Sequence, residues 1–238
     1  MKGVVLAGGL GSRLLPMTTV TNKHLLPIFD RPMIFFPVQT LIRSGIDEIL
    51  IVTGGDHAGG FLKLLGDGRK IGARRLYYAY QEGEGGIADA MSRAEGFANG
   101  ESICVILGDN VFEHDLAAQV ARFEGVGCGA RVLLKEVPDP ERFGVAEITG
   151  NRVRRIVEKP LRPVSNLAVV GAYFYDHRVF EIVKTLHPSA RGELEITDVN
   201  SWYLECGELT YDMVDGWWAD AGTPQSLLRV SNLVAGVR

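Results

Sequence analysis

Apolar and polar positions alternate along the chain in two textures. Short, almost wholly apolar runs at 3–7, 48–53, 76–80 and 102–107 have the character of strands buried on both faces of a sheet. Between them, apolar residues recur at helical spacing and predict helices over 34–44, 58–65 and 87–97. The first of these should hold Pro37 in its opening turn and close on Gly45, a natural residue for the left-handed position past a helix end. Short helical links between such strands imply a mostly parallel sheet covered on both faces.

After Gly129 the pattern becomes that of a more antiparallel protein. Strands are expected at 131–136, 144–148 and 152–157, the last two joined at Gly150-Asn151 as a hairpin, and again at 168–175. Helices are expected at 177–185, 194–205 and 224–234, with a strand at 209–214. No linker, repeat or low-complexity segment interrupts the chain, so residues 1–238 are expected to form one α/β domain. Its fold class is a Rossmann-like, mixed but mostly parallel sheet flanked by helices, with an added antiparallel portion. Ligands of open α/β sheets lie beyond the carboxyl ends of the strands. That rule puts the loop at Gly8 and the aspartate Asp109 on one rim.

Composition narrows the functions that fit. With 46% hydrophobic and 23% charged residues, the chain has the content of an ordinary globular protein. A net charge of −4 gives no support for nucleic-acid or membrane binding, so any cations that hold a ligand must be local. Cys104, Cys128 and Cys206 are far apart and odd in number, which favours reduced thiols over a disulfide frame or a zinc site. The apolar run near the N-terminus is too short for a signal-peptide core, and no stretch has the length of a membrane span. A soluble, cytoplasmic protein is expected.

The segment K-G-V-V-L-A-G-G-L-G-S-R is a strand running into a glycine-rich turn that ends on Arg13. Gly8, Gly9 and Gly11 permit close backbone approach and positive φ, and such a loop turns successive amide N–H groups toward phosphate oxygens. The spacing is neither G-x-G-x-x-G, which needs glycine where Leu14 stands, nor a P-loop. A tight turn with no ligand is the plainer alternative. Asp109, after one apolar run, and Asp220, after another, are the carboxylates suited to Mg²⁺, although a lone aspartate is more often a cap or turn residue. Lys23 can act as a point charge for phosphate or be an ordinary surface lysine, and His24 has a packed or surface reading. Glu158-Lys159 can bind a sugar hydroxyl and a phosphate, or be an exposed ion pair. Gln81, ending a strand, carries the donor and acceptor that reading a pyrimidine edge requires, or is an exposed strand-end residue.

The joint pattern is more specific than any part. L-A-G-G-L-G-S-R-L, N-K-H-L-L-P, L-G-D-N, F-G-V, E-K-P, R-G-E-L-E-I-T-D and A-D-A-G-T occur in order. In these the chain resembles the sugar-1-phosphate nucleotidylyltransferase family over nearly its whole length, closest to the glucose-1-phosphate thymidylyltransferases. The resemblance implies transfer of a nucleotidyl group from dTTP to glucose 1-phosphate with release of pyrophosphate, dependent on Mg²⁺. It implies that Gly8, Gly9, Gly11, Ser12 and Arg13 hold the triphosphate and that Lys23 steadies the phosphates. Leu6, Gly8, Gln81 and Gly86 would read the base. Asp109 and Asp220 would bind the metal, and the antiparallel portion would bind sugar phosphate through Gly144, Glu158, Lys159, Val169 and Tyr173. A homo-oligomer is expected by the same analogy.

Departures bear on detail. Where thymidylyltransferases usually carry G-L-A-Q-A, this chain has G-I-A-D-A, with Asp89 in the first turn of an expected helix, suited to complement its N-terminus. Phe143 replaces a tyrosine near the sugar pocket. Longer members continue into a segment that makes subunit contacts and a regulatory nucleotide site, which is expected to be missing or remade here; Glu113 and His114 fall near its place. UTP or another hexose 1-phosphate remains open within the class. A non-catalytic nucleotide-sugar-binding subunit is the alternative outside it. A glycosyltransferase is disfavoured because no Asp-x-Asp stands at a strand end.

Overall fold

Alternate residues of the apolar runs face opposite sides of one sheet, and that is where the two halves of the core form. A computed structural model describes residues 1–237. The first half of the chain carries β1 (Lys2–Ala7), two short strands β2 (Pro27–Ile28) and β3 (Arg31–Pro32), and helix α1 (Phe35–Arg43). These are followed by β4 (Glu48–Gly54), α2 (Ala58–Leu65), β5 (Arg75–Gln81), α3 (Ile87–Ser92) and α4 (Glu95–Ala98). Then come β6 (Ile103–Leu107), β7 (Asn110–Phe112), α5 (Ala117–Val126) and β8 (Ala130–Glu136). The remainder supplies the hairpin β9 (Gly144–Thr149) and β10 (Arg152–Glu158), then β11 (Leu167–Tyr175), α6 (Val179–Thr185) and α7 (Ile196–Glu205). The last elements are β12 (Leu209–Met213), β13 (Trp218–Asp220) and α8 (Pro224–Ala235).

The main sheet has nine strands, with the path β10-β9-β11-β6-β1-β4-β5, with β8 attached beside β11 and β12 beside β8. β6, β1, β4 and β5 are parallel neighbours, as the helical links demand. β11 pairs antiparallel with β6, β8 and β9, so it joins the parallel half to the antiparallel half. Val4 and Leu6 of β1 pack on one face with Val105 and Tyr173. Val5 and Ala7 pack on the other with Ile51, Cys104 and Phe174. Runs apolar at every position are thus explained by burial on both faces. Burial pushes the Cys104 thiol well above its ordinary pKa, an inert core residue.

Most element expectations stand within a residue or two. Pro37 lies in the first turn of α1, and Gly45 follows its end with φ +86°. The helix expected over 87–97 is two short helices instead. At Arg93 and Ala94 the backbone bonds reach back only three residues, to Ala90 and Met91, and the tightened turn separates α3 from α4.

Candidate active site

Three parallel strands end at one place, and glycine lets their ends crowd together there. A Cβ on Gly54 would lie 2.9 Å from the Gln81 carbonyl and 3.2 Å from that of Gly8. Beyond them opens a cavity of about 590 Å³. Its walls carry Leu6 near the end of β1, Gly8, Gly9, Ser12 and Arg13 from the loop after it, Gln81 from the end of β5 and Gly86 just before α3. Lys23, Asp109 and Asp220 lie deeper, and Gly144, Glu158, Lys159, Val169 and Tyr173 form the opposite wall. Of the residues assigned by sequence, only Gly11 is off the wall. Its φ is +71°, and a Cβ there would come 2.8 Å from the Lys23 Cβ, so glycine is needed to turn the chain and to admit Lys23.

Lys23 opens a short turn whose N-cap is Asn22. The Asn22 side-chain oxygen accepts from the His24 backbone N–H at 2.9 Å, and its amide donates to the Ala7 carbonyl at 3.4 Å, tying the turn to the end of β1. Lys23 is therefore no free surface lysine: its Nζ is 2.5 Å from Asp109 Oδ2 and its side chain is 14% exposed. The neighbouring ring of His24 is packed inside. Its Nδ1 lies 2.8 Å from Asn22 Oδ1, and a Cβ on Gly108 would be 2.6 Å from its Cδ2. Burial, and then the Lys23 charge, lower the His24 pKa to about 3, so the ring is neutral.

Asp109 follows β6, and Asn110 beside it is a brace. Asn110 Nδ2 donates to Asp109 Oδ1 at 3.0 Å, while its Oδ1 accepts from Gly171 N and from Trp218 Nε1 at 2.7 Å. Burial opposes the Asp109 anion, yet the charge of Lys23 and the hydrogen bonds from Lys23 and Asn110 more than offset it and hold the carboxyl below its ordinary pKa. Asp220 is brought beside it by the pairing of β13 with β7, in which Asp220 faces Asn110. Its Oδ1 accepts from Gly222 N at 2.8 Å. Burial and the charge of Asp109 raise the Asp220 pKa. Only glycine at 222 lets these groups crowd together: a Cβ there would lie 2.9 Å from Asp220 Oδ1, 2.9 Å from Arg13 Nη2 and 3.5 Å from Asp109 Oδ2. Two carboxylates lining the cavity, with a lysine and an arginine beside them, suit a hard divalent cation carrying phosphate oxygens.

On the opposite wall, Glu158 accepts from the Thr197 hydroxyl at 2.6 Å and lies 3.5 Å from Lys159 Nζ. Lys159 has φ +41°, a conformation that costs a side-chain-bearing residue about 1–2 kcal/mol. Sequence reasoning assigned no role to Arg142 and Arg191, which also line the cavity. Arg142 pairs with Asp139 at 2.6 Å and reaches within 3.9 Å of Asp220. Arg191 is 2.7 Å from Glu195 and 3.9 Å from Glu158. Arg142 stands immediately before F-G-V and Arg191 heads R-G-E-L-E-I-T-D, and a cation there was the available signal. Trp218, 6% exposed and 5.2 Å edge-on to Phe143, packs the site floor. Glu113 accepts from the Trp217 N–H at 2.6 Å.

Known proteins resemble the chain along its whole length. A Neisseria meningitidis glucose-1-phosphate thymidylyltransferase is 43% identical over 242 residues, covering 100% of this chain and 84% of the relative. The Mycobacterium tuberculosis enzyme of that name is 40% identical, over 98% of this chain and 82% of its own. Among solved structures, a Bacillus anthracis protein assigned as a glucose-1-phosphate thymidylyltransferase, in complex with a sucrose, superposes with a TM-score of 0.95. It is 49% identical and is covered over 96% of its length by all of this chain. A UDP-glucose pyrophosphorylase complexed with UDP-glucose gives a TM-score of 0.85 at 26% identity, over 100% of this chain and 99% of that one. The Nucleotidyl transferase family model matches residues 2–236, and with this agreement of sequence, fold and cavity the chain belongs to that family.

Proposed function

We propose that the chain transfers the thymidylyl group of dTTP to glucose 1-phosphate, giving dTDP-glucose and pyrophosphate. The observation that carries this reading is the layout of one cavity. A glycine loop with Arg13 and Lys23 occupies one end, Glu158 and Lys159 the other, and Asp109 and Asp220 lie deep between them. A phosphate oxygen of glucose 1-phosphate uses a lone pair to form the new bond to the α-phosphorus of dTTP. The bond from that phosphorus to the α,β-bridging oxygen breaks, and pyrophosphate leaves with the electron pair. The nucleophile is already an anion, so no side chain needs to take a proton.

The task left to the protein is to bring two polyanions together and to stabilise added charge at phosphorus. In this reading Arg13, Lys23 and the amides of Gly8, Gly9 and Ser12 hold the triphosphate, while Lys159 draws in the sugar phosphate. Glu158, oriented by Thr197, accepts from sugar hydroxyls beside Gly144, Val169 and Tyr173. Leu6, Gly8, Gln81 and Gly86 face the base. Asp109 and Asp220 would hold Mg²⁺, which when bound would neutralise phosphate charge and fix phosphate geometry. The gathering of Asp109, Asp220 and Arg13 around Gly222 on the cavity wall supports that assignment. The free thiols Cys104, Cys128 and Cys206 support a cytoplasmic enzyme, and family habit supports a homo-oligomer. Among the described residues no helix is long and apolar enough to cross a membrane.

Pyrophosphate release with glucose 1-phosphate and Mg²⁺, run in parallel with dTTP, UTP, ATP, CTP and GTP, tests the proposal. dTTP should be fastest, with UTP slower but not silent, because one methyl group in an apolar pocket is worth only about 1–3 kcal/mol. Release confined to a purine nucleotide would overturn the base assignment. Silence with all five would overturn the activity.

A further inference from the structure

Gln81 meets the base in the proposed function, but an amide side chain is ambiguous: turned over, it offers a donor where it had offered an acceptor. The surroundings of Gln81 remove that ambiguity. Its Nε2 donates to Asp89 Oδ2 at 2.8 Å and to the Gly86 carbonyl at 3.2 Å, so both amide hydrogens are engaged. The oxygen points the other way, over Gly8, where an added Cβ would lie 2.6 Å from Oε1. Gln81 is only 5% exposed, so either orientation would be fixed by its neighbours and not by water. A carboxylate accepts and never donates. Turning the amide would set Oε1 against the Asp89 carboxylate and the Gly86 carbonyl at once, and would strand Nε2 over Gly8. Arg93 holds the second Asp89 oxygen at 2.8 Å, keeping the carboxylate aimed at Gln81.

We infer that Asp89 is a positioning residue that locks Gln81 with its carbonyl toward the base and thereby makes the site select bases with an N–H at the reading edge. Thymine and uracil present N3–H there. Cytosine presents a bare N3 lone pair, which a fixed carbonyl oxygen repels. The inference rests on Gln81 reading the base, as proposed above. It assigns Asp89 a task beyond complementing the start of α3, where its side chain makes no capping bond.

The test compares kcat/KM for dTTP and CTP in the wild-type protein, Asp89→Asn, Asp89→Ala and Arg93→Ala, alongside calorimetric affinities for dTDP and CDP. Asparagine can turn an N–H toward Gln81 and so permits the reversed amide. The dTTP:CTP ratio and the dTDP:CDP affinity ratio should each fall about tenfold or more in Asp89→Asn and Asp89→Ala, the scale of a lost charge-assisted hydrogen bond. Arg93→Ala, which keeps the carboxylate but frees its second oxygen, should lower both ratios by less than either Asp89 variant does. Unchanged ratios in Asp89→Asn with a lowered melting temperature would reduce Asp89 to a helix-terminus residue and overturn the inference. Wild-type protein that binds dTDP over CDP yet turns over no nucleotide would overturn the proposed activity, leaving the inference to the affinity ratios. Wild-type protein with no preference between them overturns the inference itself.

Discussion

His24 shows what a single residue contributes to a site it does not itself line with charge. Lys23 before it must be held against Asp109, and a second cation between them would disturb that pair. Burial keeps the ring neutral, with a pKa near 3 where an exposed histidine has 6.5. Because the folded-state value is lowered, the unfolded chain takes up the proton first. The stability that His24 gives is therefore complete above pH 6.5 and is lost as pH falls toward 3. Linkage sets the loss at about 1.4 kcal/mol per pH unit, up to ~5 kcal/mol across the window. His24→Gln keeps a donor for Asn22 and has no proton to gain. Urea unfolding at pH 7 and pH 4.5 should show the wild-type protein losing at least ~2 kcal/mol more than the variant. Equal losses would mean that the buried ring titrates normally. At this scale the sequence was legible in identity and not in environment. Lys23 and Gln81 each admitted a surface reading from sequence, and both are held inside by carboxylates that the local pattern does not link to them, Asp109 far along the chain and Asp89 across the turn after β5. Asn110, which steadies Asp109, had no chemical signature of its own: its task exists only because β7, β11 and Trp218 converge on its side chain.

Elements place these residues, and α8 shows how. The chain passes from Asp220 through Gly222 into the helix, so the helix start fixes the carboxylate. Thr223 Oγ1 accepts from Ser226 N at 3.2 Å while Ser226 Oγ accepts from Thr223 N at 3.0 Å, a reciprocal cap followed by Pro224 in the first turn. Thr223→Ala should cost about 1 kcal/mol. For a domain of this size that lowers the melting temperature by roughly 2–4 °C, whereas Thr223→Ser should restore it. A melting temperature unchanged in Thr223→Ala would show that packing of Val230 and its neighbours alone sets the helix start. The same comparison of local signal and context explains which elements the sequence revealed. Strands buried on both faces announce themselves as unbroken apolar runs, and β1, β4 and β6 were legible for that reason, whereas β5, a half-exposed edge strand, was legible by its run of aromatic residues. β7 and β13 are each three residues long and exist by pairing with each other, which no local window contains. Helix α5 buries chiefly Gln119, Val120 and Phe123, too few apolar positions to stand out. The break between α3 and α4 turns on two backbone bonds, below what periodicity resolves.

Across the whole molecule, β11 is the part that makes one site from two halves. Its second half pairs with β6 and its first with β9, and a register shift between Val169 and Tyr173 accommodates Gly171 against Asn110. The end of the cavity lined by Gly8 and Gln81 and the end lined by Glu158 and Lys159 are therefore joined through the same strand that buttresses Asp109. A ligand spanning both halves should stabilise the fold as a unit. Binding to the native state alone adds about 2.7 kcal/mol at a ligand concentration a hundredfold above Kd. With dTTP, part of that gain should require Mg²⁺, because the triphosphate and both carboxylates repel each other without it. Asp109→Asn separates these contributions. The variant keeps an oxygen for Lys23 and should fold, but should lose the Mg²⁺-dependent share of the dTTP-induced rise in melting temperature. Turnover should fall by about two orders of magnitude or more, the scale of removing a group that organises transition-state charge. Wild-type-like kcat together with an unchanged Mg²⁺-dependent shift would remove Asp109 from the metal site. A lost Mg²⁺-dependent shift with turnover intact would instead place the metal in binding and leave the charge at phosphorus to Arg13, Lys23 and Lys159.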